Sequence, residues 1–335
     1  MILNLIIIFS VLNFFLFFYY KKISKIIKIY DIADSERKSH KGAVPVLGGT
    51  FLLINLLFIA IIFYYNFNFY QIFFNDNKIL FFFLTIFGFY LLGIADDSFK
   101  ISANYKLIIS LLLLLFIFYF DNKTLLTTLN FSFLKNQIKL GMYSFFITAL
   151  CYLLFINAFN MVDGINGQAA LYALFIFCIL FLKEILPNFS LVIIIFLGFY
   201  LFFNLRGKIF LGDNGSFTLS FLLSYILVKD YNLNKTLSAD EIFLIMCAPG
   251  YDMLRLFFLR IVKKKHPFYA DNLHIHHIIM NKLNNFYTLI VTLILFITPY
   301  VSYVIFNIFY FSLVLSIILY CVVIYTFSKK LTKND

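Results

Sequence analysis

The chain has 335 residues, of which 63% are hydrophobic and only 13% are charged. An ordinary soluble domain is roughly 45–50% apolar and about 25% charged, so this composition excludes a soluble globular protein. The formal net charge of +11 favours basic loops at the cytoplasmic surface of a membrane. We expect no nucleic-acid partner.

The apolar residues fall in eleven segments, several of them shorter than the roughly 20 residues that span a bilayer. In chain order they cover residues 2–20, 46–65, 79–95, 106–120, 144–159, 168–183, 189–204, 215–229, 241–260, 284–303 and 307–327. Runs such as 111–120 are apolar on every face, unlike the alternating strands of a membrane barrel. The sequence therefore predicts an all-α, polytopic membrane protein with 10–11 transmembrane helices in a single domain, residues 1–335.

The basic residues are distributed unevenly between the segments that follow odd-numbered and even-numbered spans. Twenty of the 27 Lys and Arg residues follow odd-numbered spans. Because basic loops remain on the cytoplasmic side, we expect the N-terminus outside and the C-terminus in the cytoplasm. The external segment 121–143 is predicted to form a small hairpin.

Five polar clusters follow odd-numbered spans, so all of them lie on the predicted cytoplasmic side and can meet in one site. They are Arg37-Lys38-Ser39-His40, Asp96-Asp97 with Lys100 and Lys106, the segment Asn160 to Gly167, the segment Leu211 to Ser216, and Asp271 with His274, His276 and His277.

The acidic residues suit a magnesium ion. Magnesium takes oxygen ligands from one or two carboxylates and from substrate phosphates, and Asp96 and Asp97 beside Asp213 offer such oxygens. The alternative is that the aspartate pair caps a helix that begins near Ser98. The glycines on either side of Asp213 allow a tight turn that directs backbone N–H groups to an anion at the start of the next helix.

Asn160, Asp163 and Asn166 recur every three residues just beyond a predicted span. Their amide and carboxylate groups suit the donor and acceptor edge of a base such as uracil. A polar cap at the end of a helix is the structural alternative.

The histidines of the last cluster are better suited to phosphate contact or acid–base chemistry than to zinc binding. A structural zinc site needs a closed set of Cys and His ligands. All four cysteines lie inside apolar segments, at predicted membrane depth.

In this order the clusters resemble the polyprenyl-phosphate N-acetylhexosamine-1-phosphate transferases, glycosyltransferase family 4, over residues 34–277. Members join a sugar 1-phosphate from a UDP-sugar to undecaprenyl phosphate and release UMP, with Mg²⁺ as cofactor. The His-Ile-His-His form and the stretch Ala248 to Asp252 are similar to the branch that transfers GlcNAc-1-phosphate. The alternative is the phospho-N-acetylmuramoyl-pentapeptide transferase branch, which usually has a Pro-Ile-His-His-His form, whereas residue 273 is Leu here.

The resemblance implies roles for individual residues. Asp213 and Asn160 are expected to bind magnesium. The expected catalytic residues are Asp96, Asp97, His276 and His277. The expected substrate-binding residues are Lys38, His40, Lys100, Lys106 and His274 for the phosphates and sugar, and Asp163 and Asn166 for the uridine. Departures from the family pattern are Asn166 for Asp, Asn214 for Ala, and Asn272 for an Arg that is common in the GlcNAc branch.

The same resemblance implies a setting. We expect a multi-pass protein of the bacterial inner membrane, with UDP-N-acetylhexosamine and undecaprenyl phosphate as substrates bound at the cytoplasmic face. The glycan initiated is expected to be a cell-surface polymer such as O antigen, and a second copy of the chain is a candidate partner in a homodimer.

A secondary transporter is the alternative from another functional class. Asp252 and Arg255 lie inside a predicted span, where ionisable groups often mark a transport path. Transporters also tend to show matching halves with groups near the membrane midplane. No internal repeat is evident here, so an enzyme is the favoured interpretation.

Overall fold

The computed structural model describes residues 2–32, 42–65, 78–265 and 272–328, and these form thirteen α-helices. The helices are α1 Ile2–Phe18, α2 Tyr20–Ile27, α3 Gly48–Tyr65, α4 Lys78–Phe99, α5 Ala103–Phe120, α6 Ser144–Val162, α7 Gln168–Leu182, α8 Pro187–Asn204, α9 Gly212–Leu233, α10 Ala239–Val262, α11 Ile275–Met280, α12 Asn285–Phe306 and α13 Phe309–Ser328.

Each of the eleven predicted apolar segments coincides with a helix, and α2 and α11 are additional. Within the described residues, seven helices are long and apolar enough to cross a membrane: α4, α5, α6, α8, α10, α12 and α13. The bent pair α1 and α2 makes an eighth if it is treated as one span. The chain is therefore a polytopic helical membrane protein, as the composition predicts.

The other predicted spans, α3, α7 and α9, differ from these for physical reasons. Helices α3 and α7 are apolar but short. Helix α9 carries Asp213, Lys229 and Asp230, yet every residue from Asn214 to Tyr231 is buried. Because neighbouring helices surround it, α9 does not need a lipid-facing apolar surface.

Two small antiparallel hairpins complete the described fold. Strand β3 (Thr128–Leu129) pairs with β4 (Ile138–Lys139), which confirms the hairpin predicted within 121–143. Strand β1 (Tyr30–Ile32) pairs with β2 (Ala43–Pro45), a pairing that the sequence analysis missed. Val46, just after β2, bridges to Phe210. This second hairpin therefore reaches the turn that precedes α9.

Helix α10 contains Pro249, which cannot donate a backbone hydrogen bond to the carbonyl one turn earlier. That carbonyl belongs to Ile245, and the hydroxyl of Tyr172 on α7 donates to it at 2.9 Å. The proline is thus accommodated without an unsatisfied backbone group. The same hydrogen bond joins α7 to α10.

Candidate active site

A cavity of about 670 Å³ opens where the polar segments converge. This volume lies within the range of roughly 300–1,000 Å³ that is usual for small-molecule sites. Six of the predicted site residues line it, namely Asp97, Asn160, Asp163, Asn166, Asp213 and His277. Polar side chains that the sequence analysis did not place in a site join them, among them Asp31, Asn204 and Asn285.

The first turn of α9 binds the carboxylate of Asp97 from α4. The backbone N–H groups of Asp213 and Asn214 donate to its Oδ1 at 2.9 Å and its Oδ2 at 3.1 Å, and the Asn214 side-chain amide donates to Oδ2 at 2.8 Å. The tight turn therefore does receive an anion, as predicted, but the anion is a carboxylate of the protein itself. This contact joins two of the predicted clusters and orients Asp213 toward the cavity.

Glycines make this close approach possible. A Cβ atom on Gly93 of α4 would lie 2.1 Å from the Cα atom of Asn214, and one on Gly49 of α3 would lie 1.8 Å from its Oδ1. Gly212 has a φ of +74°, a conformation that favours glycine. The sequence around residue 214, with Asn where the family usually has Ala, is thus packed between two glycine-bearing helices.

Asp96 is buried beside the cavity and does not line it. Its carboxylate accepts a hydrogen bond from the Ile101 N–H at 2.8 Å and forms an ion pair with Lys106. Its carboxyl group also lies close to that of Asp213. The alternative of a helix beginning near Ser98 is wrong, because α4 continues to Phe99.

The last turn of α6 and the loop between α6 and α7 supply Asn160, Asp163 and Asn166. Helix α6 ends at Val162, and Gly167 with a φ of +91° precedes α7. Asn204, which the sequence analysis missed, accepts from the Gly167 N–H at 2.6 Å and donates to the Ile209 carbonyl at 2.8 Å. Its only signal in the sequence is a polar residue at the end of an apolar run.

Asp163 is the most electrostatically perturbed group of this loop. Burial, reinforced by the negative charge of Asp97, raises the pKa of its carboxyl from 3.8 to about 7. Perturbed carboxyl groups that face a cavity are typical of functional sites. The polar helix cap proposed as the structural alternative does not account for this placement, because Asp163, Asn160 and Asn166 all line the cavity.

Asp252 of α10 organises the histidine segment. One carboxylate oxygen accepts from Arg255 at 2.6 Å and from the Tyr320 hydroxyl at 2.9 Å. The other lies 3.3 Å from both Nδ1 of His274 and the N–H of Ile275. Both oxygens are thus engaged, and the second of them holds the start of α11. This arrangement does not favour the transport path of the alternative hypothesis.

The three histidines have different surroundings. His277 lines the cavity, whereas His274 is turned toward Asp252. His276 is only 2% exposed and packs so closely on Gly164 that a Cβ atom there would lie 1.9 Å from its Nε2. Burial and the neighbouring imidazoles lower the pKa of His276 well below 6.5, so it is neutral at pH 7.

Not all predicted site residues reach the cavity. Among the described residues, Lys100 is exposed and does not line the cavity. Lys106 pairs with Asp96. His274 and His276 are also absent from the lining of the cavity. These four residues therefore do not line the cavity, and their roles toward the substrate stay predictions. Lys38 and His40 lie outside the described residues.

Gln168 is a second residue that the sequence analysis missed. Its side chain is 1% exposed and lines a small cavity together with His276 and Asp252. Gln168 follows Gly167 directly, so it begins α7 one turn before Tyr172. It lies beside the buried histidine, away from the main cavity.

The donor set of the main cavity fits a magnesium ion. Among the described residues, no three His, Cys, Asp or Glu side chains form a group that could hold a metal ion by themselves. Magnesium usually binds through only one or two carboxylates and completes its shell with phosphates and water. Asp213 and Asn160 offer a carboxylate and an amide oxygen to the same cavity. Asp97 also lines the cavity, with its oxygens hydrogen-bonded to the first turn of α9.

Comparison with known proteins gives consistent matches. The pattern of glycosyl transferase family 4 matches residues 79–230. A protein of Escherichia coli O157:H7, named undecaprenyl-phosphate alpha-N-acetylglucosaminyl 1-phosphate transferase, is 30% identical over 302 residues, 83% of this chain and 76% of that protein. A Thermotoga maritima protein of the same name is 29% identical over 318 residues, covering 95% of both chains.

Proposed function

The chain belongs to glycosyl transferase family 4, and on that premise we propose that it transfers GlcNAc-1-phosphate from UDP-GlcNAc to undecaprenyl phosphate. The observation that carries the proposal is the convergence of Asp97, Asn160, Asp163, Asn166, Asp213 and His277 on one cavity. These residues come from the same clusters that resemble the family in sequence. The names of the relatives support the GlcNAc branch over the muramoyl-pentapeptide branch.

In this proposal the α6–α7 loop binds the uridine. Asp163 and Asn166 present a carboxyl and an amide to the cavity, and these groups match the donor and acceptor edge of uracil. Asn204 holds the loop through the Gly167 N–H, so it is a positioning residue. A fixed loop reduces the ordering cost when the nucleotide binds.

The reaction itself requires little covalent chemistry from the protein. A phosphate oxygen of undecaprenyl phosphate attacks the β-phosphorus of the UDP-sugar, the bond to the bridging oxygen breaks, and UMP leaves with the electron pair. Catalysis of such transfers consists mostly of positioning and charge stabilisation. His277 contacts the phosphates, and Asp97, the one aspartate of the pair that lines the cavity, faces the acceptor phosphate and accepts its proton.

Asp213 and Asn160 would hold a magnesium ion, which when bound supplies positive charge to the phosphate oxygens. Asp96 then acts through its neighbours, because it contacts Asp213 and pairs with Lys106. His276 and His274 support the segment that carries His277, since both pack behind it. Only His277 of the three is assigned a direct contact.

We place this site at the cytoplasmic face of the bacterial inner membrane, on the basis of the distribution of basic residues. Cysteine labelling tests the orientation. Ser98 is exposed next to the site, whereas Asn214 is buried and would be a misleading probe. In a chain without its own cysteines, Ser98→Cys should resist an impermeant reagent added outside, while Asn136→Cys in the opposite hairpin should react.

The transfer activity is tested with the purified full-length chain in vesicles that contain undecaprenyl phosphate. A panel of radiolabelled UDP-sugars is supplied, and lipid-linked product and UMP are measured with and without a magnesium chelator. We expect GlcNAc-1-phosphate transfer that stops on chelation. Absence of product from every UDP-N-acetylhexosamine, with a folded protein, would overturn the proposal.

A further inference from the structure

Helix α2 leaves the first span at a sharp angle. A single residue, Tyr19, separates it from the end of α1, and the two helix axes differ by 66°. Tyr19 and Tyr20 stand at the bend, and paired aromatic residues at the end of an apolar helix are typical of the membrane–water interface. The geometry therefore lays α2 along the interface at the end of the span.

One side of α2 is attached to the protein. Tyr20, Ile23 and Ile27 pack against the hydrophobic core, and Ser24 between them is buried. The ring of Tyr20 lies 5.5 Å from that of Phe203 on α8. This side of the helix is consequently unavailable for other partners.

The other side of α2 is basic. Lys21, Lys25 and the C-cap residue Lys28 follow at intervals of four and three residues, so they share one face, and all three are exposed. In the described part of the chain, no carboxylate pairs with these lysines.

Ile26 adds an apolar contact of the kind that interfacial helices use. Its side chain is 79% exposed, although it lies in a short helix whose other isoleucines are packed. An exposed apolar residue beside a basic face is the arrangement by which a helix inserts into the headgroup region. Lysines at that depth are attracted to anionic lipids.

We propose that α2 docks on the anionic phospholipid headgroups of the surrounding bilayer through Lys21, Lys25 and Lys28. Strand β1 follows α2 within three residues, and its Tyr30 and Asp31 line the catalytic cavity. The docked helix is therefore the direct chain connection between the bilayer surface and a wall of the site. This inference needs no substrate and does not depend on the proposed reaction.

The chain contains no tryptophan, so Ile26→Trp introduces a single emitter at the exposed position of α2. The full-length variant is reconstituted in two sets of vesicles with the same phosphatidylcholine and phosphatidylglycerol content. Bromine, which quenches tryptophan, is carried by the phosphatidylglycerol in one set and by the phosphatidylcholine in the other. Quenching normalised to each lipid's share then measures which headgroup surrounds α2.

We expect phosphatidylglycerol to quench about fivefold more strongly, the enrichment that a single lysine provides at an anionic surface. High salt should abolish the preference. Lys21→Gln with Lys25→Gln and Lys28→Gln should abolish it also, whereas the corresponding three Lys→Arg changes should retain it.

The matched control changes the same charge elsewhere. Lys123→Gln with Lys135→Gln and Lys139→Gln alters three exposed lysines around the β3–β4 hairpin, and the preference should persist. Equal quenching by both lipids in the parent variant would overturn the proposal. So would a preference that survives the α2 glutamine substitutions in a protein that folds normally.

Discussion

Carboxylates lie at both ends of α9, and their surroundings differ in a way that separates structure from function. At the C-terminal end, Lys229 meets Asp121, and both side chains are at most 2% exposed. At the N-terminal end, Asp213 and Asp97 face a cavity of about 670 Å³. The first pair has its charges matched inside the protein, whereas the two aspartates of the second border an open space.

The Asp121 cluster is saturated with partners. Lys229 donates to one carboxylate oxygen at 2.6 Å, the Tyr225 hydroxyl to the same oxygen at 3.0 Å, and Lys78 to the other at 3.3 Å. Burial alone would raise the pKa of Asp121, but the hydrogen bond and charge of Lys229 hold it below 3.8. No ligand is needed to explain this cluster, which joins α4, α5 and α9.

At the cavity end of α9 the carboxylates have fewer cationic partners. Asp97 is satisfied by N–H groups, and Asp163, with its pKa raised to about 7, carries a charge at neutral pH only at an energetic cost. Among the described residues, Lys106 is the cation that pairs with this group of carboxylates, through Asp96. Uncompensated negative charge beside a cavity is what a cationic ligand or a metal–phosphate complex would relieve.

The strongest test of this contrast is Asp213→Asn, which keeps the shape of the side chain and removes its charge. We expect transfer to fall by about a thousandfold or more, because the proposed magnesium ion would be held by few carboxylates. The melting temperature should be unchanged or higher, since carboxylate repulsion is relieved. Full activity with an unaltered magnesium dependence would remove Asp213 from the site.

Lys229→Met tests the other end and should have the reverse signature. Removing one partner of a buried ion pair leaves an uncompensated charge and costs about 3–5 kcal/mol. We expect a large drop in melting temperature in detergent, while kcat per folded molecule stays near that of the parent. A second variant, Asp121→Asn with Lys229→Met, should recover part of the loss because the stranded charge is gone. A loss of kcat without destabilisation would contradict a structural role.

Asp163→Asn should shift stability and binding in opposite directions. In the folded chain the carboxyl has a pKa of about 7 in place of 3.8, so the fold favours its neutral form. Stability should therefore fall as pH rises from about 4 to about 7, over which the unfolded chain ionises first. The Asn variant should lose this part of the pH dependence and melt higher above pH 7, yet bind UDP-sugars more weakly. A parallel pH dependence in both proteins would show that Asp163 does not titrate in this range.

The sequence predicts the helices and the grouping of the polar clusters, but not the difference between the two ends of α9. The apolar runs predicted the position of every long helix, because a span is a local property of about 20 residues. The polar clusters could be grouped by counting spans, since successive loops lie on alternate sides of the membrane. That reasoning brought Asp97, Asp213 and Asn160 to one place, where the structure also has them.

The pairing of charges could not be predicted in the same way. Asp121 and Lys229 are separated by 108 residues, and the register of α5 against α9 decides whether they meet. Asp97 likewise binds backbone N–H groups of α9, which have no signature in side-chain composition. Asp252 was noticed as an ionisable group in a span and as the end of a stretch that resembles the family, but its contacts depend on the separate positions of Tyr320 and His274.

The smallest expected effect concerns the division of labour inside the cavity. Asn272 precedes α11, and Asn166 lies in the loop between α6 and α7. Both line the cavity. If the histidine segment contacts the sugar, Asn272→Arg should change the ratio of kcat/KM between UDP-GlcNAc and other UDP-N-acetylhexosamines by about tenfold, since a hydrogen-bonding group against a sugar hydroxyl alters discrimination strongly. Asn166→Ala should instead weaken all UDP-sugars about equally, because they share the base.

Both variants are measured on the same donor panel, with each serving as the control for the other. Separable effects would distinguish the cavity from the Asp121 cluster, whose members are expected to act as one unit with non-additive losses. An unchanged donor ratio in Asn272→Arg together with a changed ratio in Asn166→Ala would reverse the assignment of the two segments. In that case the α6–α7 loop would contact the sugar, and the histidine segment, held by Asp252, would have to contact the part of the donor that all UDP-sugars share.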